Sequence, residues 1–201
     1  MSKDWTGNSK TTFAQLGASS HSDKEREIND YYATDPHTLE ILLKALKRDN
    51  IQLHNNIWEC SCGEGHLSKV LEKYNYNVYS TDLIDRKYGV GGVNFLTTYN
   101  KYDGDILTNP PYKYAKEFVE HSIEILKKDK YCIMLLKIQF LEGKARRKLF
   151  NKYPPKYVYV NSERQTCYIN GDMSKKMSSA SCYCWFIWQK GYTGEPIIRW
   201  I

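Results

Sequence analysis

Asn56-Ile57-Trp58-Glu59-Cys60-Ser61-Cys62-Gly63-Glu64-Gly65 begins as a short apolar run and ends in a turn with two glycines. The run reads as a strand, and the turn leads into Leu67-Ser68-Lys69-Val70-Leu71-Glu72, a helical segment. Val78-Tyr79-Ser80-Thr81 is a second strand that stops at Asp82. Strand, Gly-containing turn, helix, strand is the βαβ unit, whose two strands lie parallel.

The alternation extends in both directions. Upstream, Asp35-Pro36 starts a helix in which Leu39, Leu42, Leu43 and Leu46 recur at helical spacing. Downstream, a loop with Gly89, Gly91 and Gly92 precedes a strand at 105–108, a helix at 114–126 and a buried strand at 131–138. The fold class expected is therefore α/β, a mostly parallel sheet with helices on both faces. Segments 156–160 and 182–189 alternate as antiparallel or edge strands, joined by a polar loop at 161–181. Residues 1–30 are polar, with Trp5, Phe13, Leu16 and Ile28 as anchors, and read as an irregular arm before one domain at 31–201.

Composition narrows the class without choosing a function. Lys and Arg total 29 against 23 acidic residues, a net +6 that suits a polyanionic partner without requiring one. Seventeen Tyr, five Trp and six Phe exceed what a core of this size needs, and stacking on bases is one use for them. The first residues lack an apolar signal segment and no apolar run spans a bilayer, so a cytoplasmic, membrane-free protein is expected. The six Cys are then expected to be reduced. The pairs Cys60/Cys62 and Cys182/Cys184 lack C-x2-C spacing and read as core, and no His spacing suggests a metal.

Two constellations carry chemistry. Glu59 closes the first strand, Gly63 and Gly65 let backbone approach a ligand, and Asp82 stands where a carboxylate accepts hydrogen bonds from ribose hydroxyls. Glu59 and Glu64 disfavour a pyrophosphate in that turn, so a cationic or zwitterionic nucleoside such as S-adenosylmethionine fits better. The other reading is an ordinary tight turn with a capping acid. The second constellation, Asn109-Pro110-Pro111-Tyr112, follows the strand at 105–108. The Asn109 side-chain oxygen and the Pro110 carbonyl can accept both hydrogens of one planar amine, and Tyr112 offers a π-face. Here the alternative is a Pro-Pro turn that closes a strand.

In this order the motifs resemble the Rossmann-like class I methyltransferases, and within them the adenine-N6 DNA methyltransferases. Glu59 to Gly65, with Cys60 among them, looks like the methionine-binding motif, Asp82 the ribose acid and Asn109 to Tyr112 the catalytic tetrad. Tyr31-Tyr32-Ala33-Thr34-Asp35-Pro36 resembles the N-terminal cofactor segment through Thr34 and Pro36, with Asp35 where the family has Pro. Val93-Asn94-Phe95-Leu96 resembles the adenine-contacting loop, with Asn94 in place of Asp. Trp5-Thr6-Gly7-Asn8 and the ending from Trp185 to Ile201 are similar to small phage-borne members. The resemblance implies S-adenosyl-L-methionine as cofactor, a DNA substrate with base flipping, a monomer or homodimer, and no metal. The lack of a Pro-Cys argues against cytosine C5 chemistry.

For the substrate, the expected DNA-contacting loops are 141–156, with Arg146, Arg147 and Lys148, and 161–181, with Arg164, Lys175 and Lys176. A solvated helix face is the plainer account of the first basic stretch. Asn-Pro-Pro-Tyr also serves RNA methylases and release-factor glutamine methyltransferases, and a catalytically silent DNA-binding relative would keep the fold.

Overall fold

The computed structural model describes residues 32–163, 167–169 and 182–201. In chain order the elements are β1 (Tyr32–Thr34), α1 (Pro36–Arg48), β2 (Asn56–Glu59), α2 (His66–Lys73), β3 (Asn77–Ser80), β4 (Asp105–Thr108), α3 (Ala115–Ile125), β5 (Tyr131–Lys137), α4 (Lys144–Lys152), β6 (Tyr157–Val160), β7 (Cys167–Ile169), β8 (Tyr183–Gln189) and β9 (Ile197–Trp200). Seven strands form one sheet in the order β3-β2-β4-β5-β8-β6-β9. The first four run parallel; β8 is antiparallel to both β5 and β6, and β9 is parallel to β6. β1 and β7 pair antiparallel as a separate ribbon that sets Thr34 opposite Cys167.

Alternate strand residues feed two cores. Trp58, Ile106, Cys132, Met134, Phe186 and Trp188 face α3 and Leu149 of α4. Ile57, Leu107, Ile133, Leu135, Trp185 and Ile187 face the apolar stripes of α1 and α2. Leu39, Leu42 and Leu71 are fully buried, each contributing about 1.5 to 3 kcal/mol by leaving water. Helices thus cover both faces, the arrangement expected for a parallel sheet.

Asp35 caps α1, its Oδ1 accepting from the His37 amide at 2.9 Å, and Pro36 occupies the first helical turn. The expected strand at 182–189 is central, not an edge, because both its faces are buried. Most of the expected loop at 141–156 is helix α4: Gly143, at φ 101°, opens it, no Pro or Gly interrupts 144–152, and Pro154-Pro155 follow. Strand β9 carries a pattern too short to read in advance. Residues 1–30, including the expected arm, lie outside the described residues, as do Arg164, Lys175 and Lys176.

Chain direction across the sheet explains where a ligand goes. β3 lies on one side of β2 and β4 on the other, so successive crossovers leave β2 in opposite directions and open a crevice at the carboxyl ends of β2 and β4.

Candidate active site

That crevice is a cleft of about 1040 Å³ whose wall brings together Thr34, Glu59, Cys60, Asp82, Asn94, Phe95 and the whole of Asn109-Pro110-Pro111-Tyr112. Its volume lies at the upper end of the range for small-molecule sites. Pro36, Gly63 and Gly65 are not among the residues of that wall.

One end is acidic. Glu59 is 2% exposed, and the Ser68 hydroxyl of α2 donates to its Oε2 while lying 2.7 Å from Ser80 Oγ. Burial pushes the Glu59 carboxyl up to about 8, so it is largely protonated at neutral pH. Asp82 binds the turn to the end of β3. Its Oδ2 accepts from the Gly63 amide at 2.8 Å, and its Oδ1 accepts from the Ile84 amide at 2.9 Å and from Arg86 Nη1 at 3.2 Å. Gly65 caps α2 in the left-handed region at φ 79°, and a Cβ there would meet the Tyr88 ring at 2.3 Å. The two glycines therefore do different work: Gly63 presents its amide to Asp82, and Gly65 makes room for an aromatic ring.

The middle of the cleft is apolar. Asn94 Oδ1 accepts from the Leu96 amide at 3.1 Å and caps the 3-10 turn Phe95–Thr97. Phe95 meets Trp58 edge-on at 5.2 Å and Phe118 at 5.0 Å, which fixes the wall that Val93 and Leu96 complete. Cys62 is also in this wall, but burial pushes its thiol up to about 12, which removes it as a nucleophile.

The other end carries the tetrad. Asn109 Nδ2 donates to Thr34 Oγ1 at 2.8 Å, so the ribbon strand β1 fixes which way the amide faces. Ser61 Oγ lies 2.7 Å from Thr108 Oγ1 and donates to the Asn109 carbonyl at 3.2 Å, tying the first turn to the tetrad's backbone. Tyr112 opens the 3-10 turn Tyr112–Tyr114. Its ring centroid is 6.0 Å from that of Tyr183, and Lys137 Nζ sits 5.5 Å over it.

Of the expected DNA contacts, Arg147 and Lys148 are exposed on α4. Arg146 folds back on its own loop: Nε donates to the Glu142 carbonyl, Nη2 to that of Gln139 at 3.3 Å, and the guanidinium lies 5.4 Å from the Phe140 ring. Sequence reasoning missed Ser61, Arg86 and Lys137, all in the cleft wall. Position could have found the last, since β4 and β5 are parallel neighbours and the carboxyl end of β5 therefore lies at the same sheet edge as the segment that follows β4. Among the described residues no cluster of His, Cys, Asp and Glu is set to hold a metal, and no helix is long and apolar enough to cross a membrane.

No protein-family model matches the sequence, and no curated protein is similar to it by sequence. Solved structures do match. A candidate class I S-adenosylmethionine-dependent methyltransferase from Listeria monocytogenes superposes with a TM-score of 0.60 at 13% identity, over 95% of this chain and 71% of its own. A type I restriction-modification methyltransferase subunit from Streptococcus thermophilus gives 0.60 at 15%, over 83% and 46%. A candidate RNA methyltransferase from Pyrococcus horikoshii gives 0.59 at 13%, over 92% and 98%. The sheet order, the helices on both faces and these likenesses together give the chain the Rossmann-like fold of the class I methyltransferases.

Proposed function

We propose that the chain transfers a methyl group from S-adenosylmethionine to the N6 amine of adenine in DNA. The observation that carries this is one cleft with Glu59 and Asp82 at one end and Asn109-Pro110-Pro111-Tyr112 at the other. The donor set fits the cofactor. A buried carboxyl that has no cationic partner among the described residues suits an ammonium, Asp82 suits hydroxyls, and the Phe95–Leu96 wall suits a nucleobase.

The cofactor, when bound, supplies a sulfonium methyl that the amine nitrogen attacks in line, with a thioether leaving. The protein's part is positioning. Asn109 Oδ1 and the Pro110 carbonyl hold the amine hydrogens and turn the nitrogen lone pair out of conjugation with the ring, while Tyr112 stacks on the base. Thr34 takes up the Asn109 nitrogen, leaving the oxygen as the group that serves the amine. Adenine N6 is engaged in pairing inside a duplex, so the base must flip into the cleft, and the proton lost from nitrogen passes to water.

RNA is the second substrate supported by an observation, because the Pyrococcus horikoshii likeness spans nearly all of both chains. Methyl-labelled cofactor offered with duplex DNA, RNA and a release factor separates the readings. Label in N6-methyladenine of DNA supports the proposal; label only in RNA or in glutamine overturns its substrate. Cofactor binding without transfer to any of the three overturns the enzyme.

A further inference from the structure

Lys137 is the last residue of β5 and pairs in register with Tyr183 of β8. It is half-buried, lines the cleft and makes no ion pair among the described residues. Its ammonium lies over the Tyr112 ring at 5.5 Å, and that ring stands 6.0 Å from Tyr183. The cleft's other cations differ. Arg86 is 3.2 Å from Asp82 at the acidic end, and Lys113 is exposed, 5.2 Å over Tyr114.

A half-buried ammonium gives up hydration, and a single cation–π contact returns only part of that loss. An anion that arrives with the substrate would return the rest. The two tyrosines beside it define the other half of the recognised group, a flat ring, and the tetrad requires that ring to carry an amine. A planar amine joined through a sugar to an anionic group is a nucleotide. A glutamine side chain brings neither the ring nor the charge.

We propose that Lys137 binds the phosphate of the target nucleotide and is the specificity-determining residue that selects a nucleotide amine over a glutamine amide. The inference rests on the methyl-transfer reading of the same cleft. Lys137 approaches from β5, whereas Asn109 and Pro110 approach from β4, so phosphate and amine are held from adjacent strands. Arg147 and Lys148 on α4, the helix that follows β5, are exposed, and exposed basic side chains of this kind meet phosphates.

The test is the salt dependence of duplex DNA binding by the full chain, measured by fluorescence anisotropy for wild type, Lys137→Gln and Lys137→Arg, with cofactor affinity by calorimetry. Lys137→Gln is expected to weaken DNA binding about tenfold at low salt and to flatten the log-affinity against log-salt slope by about 0.9, the value for one phosphate. Lys137→Arg is expected to keep the slope, and both variants to bind cofactor as wild type does. An unchanged slope in Lys137→Gln overturns the assignment. So does an equal loss of cofactor binding, which would mark Lys137 as structural. Wild-type methyl transfer to a glutamine peptide as fast as to duplex DNA would also overturn it. Wild-type protein that binds DNA with the expected Lys137 dependence but transfers no methyl group to it would sink the activity and leave the phosphate site standing.

Discussion

The side-chain nitrogen of Asn109 donates to the Thr34 hydroxyl at 2.8 Å, joining residues 75 positions apart. Thr34 belongs to a short strand paired with β7 outside the main sheet, so the orientation of the amide depends on an element that the parallel core does not itself build. Thr34→Val removes the acceptor and keeps the shape. The expected outcome is a loss of about tenfold to hundredfold in the single-turnover rate of methyl transfer, with cofactor affinity within twofold and Thr34→Ser close to wild type. A change in cofactor affinity with no change in rate would return Thr34 to the cofactor role that its sequence motif implies.

The buried Glu59 carboxyl should make stability, and on the proposed reading cofactor binding, depend on pH. Its folded carboxyl titrates near 8, above its value in an unfolded chain, so the folded state holds the extra proton between those values. Its contribution to stability is full at acid pH and is lost as pH rises through about 8. Glu59→Gln should remove that slope from thermal unfolding measured between pH 5 and 9. A bound ammonium favours the carboxylate, so cofactor affinity should rise with pH up to about 8 and then level. Calorimetry in buffers of different ionisation enthalpy should detect a proton released on binding at pH 7, and its absence would remove Glu59 from the cofactor's amino end.

Gly65→Ala adds a methyl group where the backbone is left-handed and the Tyr88 ring already fills the space. The expected cost is about 2 to 4 kcal/mol, read as a fall in Tm. Adding Tyr88→Ala should recover the steric part alone. Unchanged stability in the single variant would mean that the ring moves freely.

Asp82→Ala leaves the Gly63 and Ile84 amides and Arg86 without the carboxylate that receives them. A fall of roughly 1 to 3 kcal/mol in stability and a loss of at least tenfold in cofactor affinity are expected. Arg86→Met tests the pair from the other side: if it weakens cofactor binding as strongly as Asp82→Ala, the ion pair and not the carboxylate alone shapes this end of the cleft.

The parallel half of the fold was legible because Ile57, Leu107 and Ile133 lie in short apolar runs bounded by Gly, Pro and charge, which one period describes. That Asn109, Pro110, Pro111 and Tyr112 share one cleft wall was legible because they are contiguous and follow the end of a strand. The placing of Lys137 and Ser61 in the cleft was not, since it comes from the strand beside them and no local pattern marks a half-buried lysine or a hydroxyl that ties two segments together. Arg146 shows another limit: charge counting cannot tell a guanidinium folded onto the Gln139 and Glu142 carbonyls from one held out to solvent. Helix α4 lay in a segment read both as a DNA-contacting loop and, more plainly, as a solvated helix face; its bounds were hidden because nine residues rich in Lys and Arg carry only one fully buried apolar anchor, Leu149.

The most direct test of Asn109 as the acceptor that serves the substrate amine is the rate of methyl-label transfer to adenine in duplex DNA by wild type, Asn109→Asp and Asn109→Ala under single-turnover conditions. Asn109→Asp keeps an acceptor oxygen and should retain transfer, while Asn109→Ala should lose about a hundredfold or more with cofactor binding intact. Transfer by Asn109→Ala at the wild-type rate, or wild-type label that never appears in N6-methyladenine, would contradict the account.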